Sequence, residues 1–221
     1  MTHHCTVPHC DQPTSGRSNK CNAHRLALRR HGHPLQTGIK VTEFGPYREA
    51  IRRLWRANDA SPLWEVVKAR WGRCLGHAQA ILGDYTRGVA CNRHEVRAAD
   101  ELLRLDSNVP FEDLASTALG LYVYAADQPF RFRSDDAFRF QIVRKVRGLD
   151  DLAIGKTWNH KRRSMRSVYR DLPPRAVLRL HAYLGAVFGE AGMLLRDHAK
   201  SRPKLEATEA RTMADAVRSL R

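Results

Sequence analysis

Three of the five cysteines in this chain fall between residues 5 and 21, and a histidine follows the last of them after two positions. The pattern is Cys5-x4-Cys10-x10-Cys21-x2-His24. Zinc asks for four nitrogen or sulfur ligands in a tetrahedron, and paired spacing of this kind supplies two from a short knuckle and two from the start of a helix. Cys21 and His24, three positions apart, face the same side of a first helical turn and reach one ion together. With all four positions taken by protein there is no place for a water molecule, so the expected role of the Zn²⁺ is structural. His3, His4 and His9 lie close enough in sequence to compete for the fourth position. Five cysteines, an odd number, in a chain with no apolar leader argue against a disulfide framework.

A second combination, Cys74, His77, Cys91 and His94, would make another metal site only if two neighbouring antiparallel helices brought the pairs together. Cys74 sits within an apolar stripe, and a buried thiol is the simpler expectation for it.

The other chemistry on offer is charge. Lys and Arg number 38 against 23 Asp and Glu, a formal charge of +15, which favours a polyanionic partner. The charge is concentrated twice. From Gln12 to Thr42 there are six basic residues (Arg17, Lys20, Arg25, Arg29, Arg30 and Lys40) and no acidic one. From Arg139 to Arg170 there are ten basic residues against Asp150 and Asp151. Arg25, Arg29 and Arg30 on a zinc-braced helix would grip phosphates. So would Arg144, Lys145 and Arg147 on a later helix, and Lys161, Arg162, Arg163 and Arg166 on a hairpin that follows it. A helix followed by a basic ribbon resembles the helix-and-wing arrangement of DNA-binding domains. Trp158 and Tyr169 border the ribbon's tip and are expected as plugs beneath it.

The elements that must carry these groups are mainly helical. Residues 1–40 have almost no large aliphatic run and could not fold by burial alone. From about Pro46 the apolar residues recur with helical period. Tyr47, Ile51, Leu54 and Trp55 share a face, and Trp64, Val67, Trp71, Cys74, Leu75, Ala78 and Leu82 make a longer stripe. Val96 to Leu103, Phe111 to Tyr122, and Phe138 to Val146 behind a Ser134 N-cap continue the pattern. Pro173 and Pro174 open a further helix, on which Gly185 and Gly189 would permit close approach. A separate amphipathic piece is expected after Pro203. Between Ile154 and Tyr169 the helical period fails, and a hairpin fits. The expected fold is thus mainly α, a treble-clef-like zinc module over residues 1–40 followed by a helical bundle over 41–221 with a possible hairpin at 154–170. No apolar stretch is long enough to span a bilayer, so the expected place is the cytoplasm with no membrane partner.

The segment from Cys5 to Pro34, ending Arg29-Arg30-His31-Gly32-His33-Pro34, resembles the small zinc module at the front of many phage and mobile-element proteins, HNH-type homing endonucleases among them. The resemblance implies a metal module in a phage or mobile-element protein of a bacterial or phage-infected cell. It covers about the first 35 residues. The nuclease half of that pattern does not follow. Asn159-His160 is the one candidate start, no Asn occurs between Lys161 and Leu180, and the next His is His181 within a helical stretch. The favoured expectation is therefore non-catalytic binding of nucleic acid, with duplex DNA preferred. The alternatives are a divergent metal-dependent nuclease using Asp135 and Asp136 or Asp150 and Asp151, and a helical adaptor for other proteins.

Overall fold

The computed structural model describes residues 3–14, 16–150, 153–159, 163–169 and 171–219, with backbone alone for 153–157, 159, 164, 166–169 and 198–219. Seven helices and one hairpin make up its regular structure among the described residues. An N-terminal knuckle leads into α1 (Asn22–His31), which stops at Gly32. Gly32 takes the left-handed conformation (φ 77°) that ends a helix without steric cost only in glycine.

Helix α2 (Val41–Ala57) begins five residues before Pro46, where sequence composition placed the change. The Glu43 carboxylate accepts the Lys40 N–H at 2.9 Å and caps the helix end, so the first turn forms without the ring. Helix α3 (Pro62–Thr86) has proline in its first turn, and α4 (Arg93–Asn108) is capped by the Asn92 side chain, which accepts the His94 N–H at 2.9 Å. Helix α5 (Phe111–Asp127) follows Pro110. A 3-10 turn at Pro129–Arg131 leads to α6 (Asp135–Arg147), where Ser134 Oγ accepts the Ala137 N–H at 3.1 Å as its spacing predicts.

Strands β1 (Ala153–Asn159) and β2 (Ser164–Tyr169) pair antiparallel, with Trp158 opposite Met165 and an irregularity between Ala153 and Gly155. The hairpin expected at 154–170 is therefore present. Helix α7 (Pro174–Ser219) is one continuous helix of 46 residues. The separate piece expected after Pro203 is instead the second part of α7: a proline breaks one backbone hydrogen bond but does not oblige a helix to end.

The main core runs from Ile39 to Ala191 and collects most of the expected stripes. Leu54, at 38% exposed, falls outside it. Helix α5 is its axis. Every residue from Leu114 to Leu121 is buried, because α5 packs against α2, α6 and α7. Two close approaches need glycine. A Cβ on Gly120 would lie 3.0 Å from the Arg48 backbone of α2, and one on Gly192 would lie 2.5 Å from the Tyr122 ring. The approach expected at Gly185 and Gly189 is therefore tightest one turn later in α7. No helix among the described residues is long and apolar enough to cross a membrane.

Candidate metal centre

The knuckle is built by backbone hydrogen bonds rather than by packing. The Cys5 N–H donates to the Gln12 carbonyl at 3.0 Å and the Thr14 N–H to the His3 carbonyl at 2.8 Å, with a bridge between His4 and Pro13. The Cys10 N–H donates to the Val7 carbonyl at 3.2 Å, which closes the turn between the first two cysteines. His9 stands in that turn at φ 60°. The Thr6 N–H donates to the Asn19 carbonyl at 3.0 Å and brings the second half of the loop back beside the knuckle. Cys21 then serves as the N-cap residue of α1, and His24 lies within its first turn.

The four side chains converge as their spacing predicts. All their candidate donor atoms lie within 4.8 Å of one another. His24 Nδ1 is 3.4 Å from Cys5 Sγ and 3.3 Å from Cys21 Sγ, and Cys10 Sγ is 3.9 Å from Cys21 Sγ. A tetrahedral ion with sulfur at about 2.3 Å sets neighbouring sulfurs roughly 3.8 Å apart, so the quartet could hold one metal ion without rearranging. The competing histidines drop out: His3 and His9 are exposed, and His4 Nδ1 is 3.1 Å from the Asp11 carbonyl. Burial opposes ionisation of Cys5, but backbone hydrogen bonds from Cys21 and Val7, helped by His24 and Cys10, outweigh it and hold the thiol down to about 6. Cys10 gains from a backbone hydrogen bond at Gln12, yet burial and the adjacent Cys5 and Cys21 push it upward. A cation bound beside Cys10 would offset that upward push.

Among the described residues this is the one group of three or more His, Cys, Asp or Glu with donor atoms this close. Cys74, His77, Cys91 and His94 do not assemble. Cys74 and His77 line a groove with Arg70, Arg73 and Tyr183, while the Cys91 thiol faces the Ile81 carbonyl. Burial pushes the Cys74 thiol upward, as its place in an apolar stripe implies.

No protein-family model matches the chain, and neither curated proteins nor solved structures give a significant match.

The module is fastened to the bundle through a short polar seam. Buried Gln141 of α6 places its amide nitrogen 3.0 Å from His31 Nδ1 and accepts the Ile39 N–H at 3.2 Å. Gln36, also buried, donates to the Arg131 carbonyl at 3.2 Å and accepts the Arg133 N–H at 3.0 Å. Arg131 pairs with Glu43 at 2.8 Å and holds that carboxyl down to about 2. Gly32 lies against the backbone of Asp136, too close for a side chain.

This seam sets part of each basic concentration side by side. Arg29 and Arg30 in the last turn of α1 and Arg144 and Arg147 in the last turn of α6 line one cleft of about 30 Å³, with Asp171 and Leu172 beside them. Arg30 Nε is 3.8 Å from the Asp171 carboxylate. Burial, with the charges of Arg30 and Arg147 against the help of Asp171, lowers the Arg144 pKa. A second, larger groove shares Asp171 and is lined by Arg93, His94 and Arg97 from α4. Helix α4 was absent from the sequence-based set because its basic residues are interspersed with acidic ones.

The remaining predicted contacts divide. Arg25 is exposed and donates to Asn22 at 2.9 Å. Lys145 points elsewhere: its ammonium lies 5.2 Å from the Phe44 ring centre, and burial lowers its pKa. Arg147 is tied to Glu101, whose side chain is 6% exposed, so much of its charge is already compensated. Arg163 is exposed. Lys161, Arg162 and the side chain of Arg166 lie outside the described residues. Trp158, expected beneath the hairpin, is 50% exposed.

Proposed function

We propose that the chain is a zinc-containing, non-catalytic nucleic-acid-binding protein, with duplex DNA as its preferred partner. Three thiolates and one imidazole form a donor set suited to zinc, and a complete quartet suits a structural ion in a treble-clef-like module. The observation that carries the binding role is the meeting of Arg29 and Arg30 with Arg144 in one cleft, although Arg144 is more than a hundred residues away from the other two in sequence. Cations that gather on one surface, with Asp171 as the acidic residue lining it, have the character of a phosphate-gripping face. The basic hairpin would extend that face as a wing. The setting in a phage or mobile element rests on the likeness of the first 35 residues alone.

The test is binding to duplex DNA, single-stranded DNA and RNA at several salt concentrations. Log affinity for duplex DNA should fall linearly with log salt, with a slope of about −0.9 per phosphate contacted. Arg30→Ala with Arg144→Ala should reduce that slope by up to about two units, and Ala at Lys161, Arg162 and Arg163 together by up to about three. Absence of salt-sensitive binding to any nucleic acid would sink the proposal. Magnesium-dependent cutting of plasmid DNA by the pure protein would replace it with a nuclease.

A further inference from the structure

The four tryptophans divide sharply. Trp55, Trp64 and Trp71 are 9%, 2% and 4% exposed and belong to the core, whereas Trp158 on β1 is 50% exposed. Its cross-strand partner in the register is Met165, 58% exposed. Residues directly opposite in an antiparallel pair project from the same face, so the two form one small apolar patch on the ribbon. Both side chains are more than a third exposed, and a half-exposed indole on a two-stranded ribbon adds little to stability.

The surrounding charge indicates the occupant. From Ala153 to Tyr169 there are five basic residues and no acidic one. An exposed indole in a segment whose sequence is basic and carries no acidic residue fits a nucleotide, whose base offers a π-face and whose phosphate offers negative charge. Trp158 and Met165 by themselves are a smaller patch than a protein interface ordinarily needs, which is several hundred Å² of contiguous apolar surface.

We infer that the Trp158–Met165 face of the hairpin stacks on an unpaired nucleobase, so that the protein contacts bases there as well as phosphates. This rests on the nucleic-acid reading above and narrows it: duplex DNA that carries an unpaired stretch binds more tightly than a fully paired duplex of the same length. Stacking is indifferent to base identity, so the preference is for unpaired bases rather than for a sequence.

The experiment uses the full zinc-loaded chain, a thymine oligonucleotide, and an abasic oligonucleotide of the same length that keeps the phosphates and lacks the bases. The thymine strand should quench the exposed tryptophan emission and the abasic strand should not. Trp158→Ala should weaken binding to the thymine strand roughly 5- to 150-fold and leave abasic binding unchanged, while Trp158→Phe retains most of the affinity and abolishes the quenching. Phe130→Ala, at an aromatic side chain 91% exposed outside the hairpin, should change neither. Zinc content and circular dichroism establish that each variant is folded. Equal binding of both strands, with Trp158→Ala indistinguishable from wild type, would overturn the inference and leave phosphate binding intact. Trp158-dependent binding to phosphatidylserine vesicles with none to either strand would overturn both, as would no salt-sensitive binding to any nucleic acid.

Discussion

The metal module and the helical bundle are held together by different physics. In the bundle, apolar burial is continuous from Ile39 to Ala191 around a helix, α5, that is enclosed on every side. The buried residues of the module's own cluster are Cys5, Val7 and Cys21, with Cys10 partly buried against them, and α1 has no buried residue at all. Leu26 and Leu28 of that helix are 45% and 37% exposed. A chain segment of this size cannot offset its backbone entropy with one buried valine. A metal ion held by the quartet would supply what the module's side chains do not, whereas the bundle has a core of its own.

Metal removal breaks this comparison with the largest expected effect. Structural zinc sites bind with roughly 10–16 kcal/mol of apparent free energy near neutral pH, and in a module without a core that binding is the folding energy. Elemental analysis should find about one zinc per chain, and Cys10→Ser should release it. The module should then unfold while far-ultraviolet circular dichroism keeps most of its helical signal, because α2 to α7 have their own core. Loss of most helix together with the metal would show that the bundle depends on the module. Freshly purified wild-type protein without zinc would remove the zinc assignment itself.

The seam between the two regions is the next place to press. Gly32 combines a left-handed backbone with a carbonyl of α6 only 2.6 Å from where a Cβ would stand, and backbone cannot swing aside as a side chain can. Gly32→Ala should therefore cost about 2 kcal/mol or more from conformation and overpacking together. The cost should fall on docking: zinc content unchanged, the bundle's own melting little altered, and proteolysis between residues 31 and 40 accelerated. A Gly32→Ala protein as protease-resistant as wild type would mean that α1 does not rest on α6 in solution.

What was legible in the sequence follows the same division. The end of α1 at Gly32 and the Ser134 cap are local events, fixed by residues within a few positions of one another, and the metal quartet lies within the short stretch from Cys5 to His24, so spacing alone was enough to find them. The helical stripes were equally legible, since the period is local. What a helix face meets is decided by residues far away. Periodicity indicated a one-sided α5 where the structure encloses it. It set Lys145 beside Arg144 and Arg147, yet the three side chains go to Phe44, to the cleft and to Glu101. Asp171, the acidic member of that cleft, had no sequence signal at all, because its partners come from three separate elements. Trp158 misled for a related reason. A tryptophan is ordinarily covered, and nothing nearby in sequence shows that a two-stranded ribbon offers no cover.

The smallest expected effect tests whether the seam is polar in the way the geometry implies. His31 Nδ1, 3.0 Å from the Gln141 amide nitrogen, accepts its N–H only while the ring nitrogen is unprotonated. Burial, then the charges of Arg144, Arg30 and Arg131, hold the His31 pKa down to about 4. In the unfolded chain the ring titrates near 6.5. Between those two values the unfolded state binds a proton that the folded state does not, so stability is complete above about 6.5 and falls as pH drops towards 4. His31→Gln removes this titration while keeping a polar group at the seam. Between pH 6.5 and 5 the wild type should lose more stability than His31→Gln, measured as the shift in denaturant midpoint. Contributions common to both proteins cancel in that difference: protonation of the metal ligands, and His181, which burial and Arg139 hold at about 4 although Asp136 opposes them. Equal midpoint shifts in the two proteins would show that His31 is already free of Gln141 in solution, and that the module is held to the bundle by Gln36 and Arg131 instead.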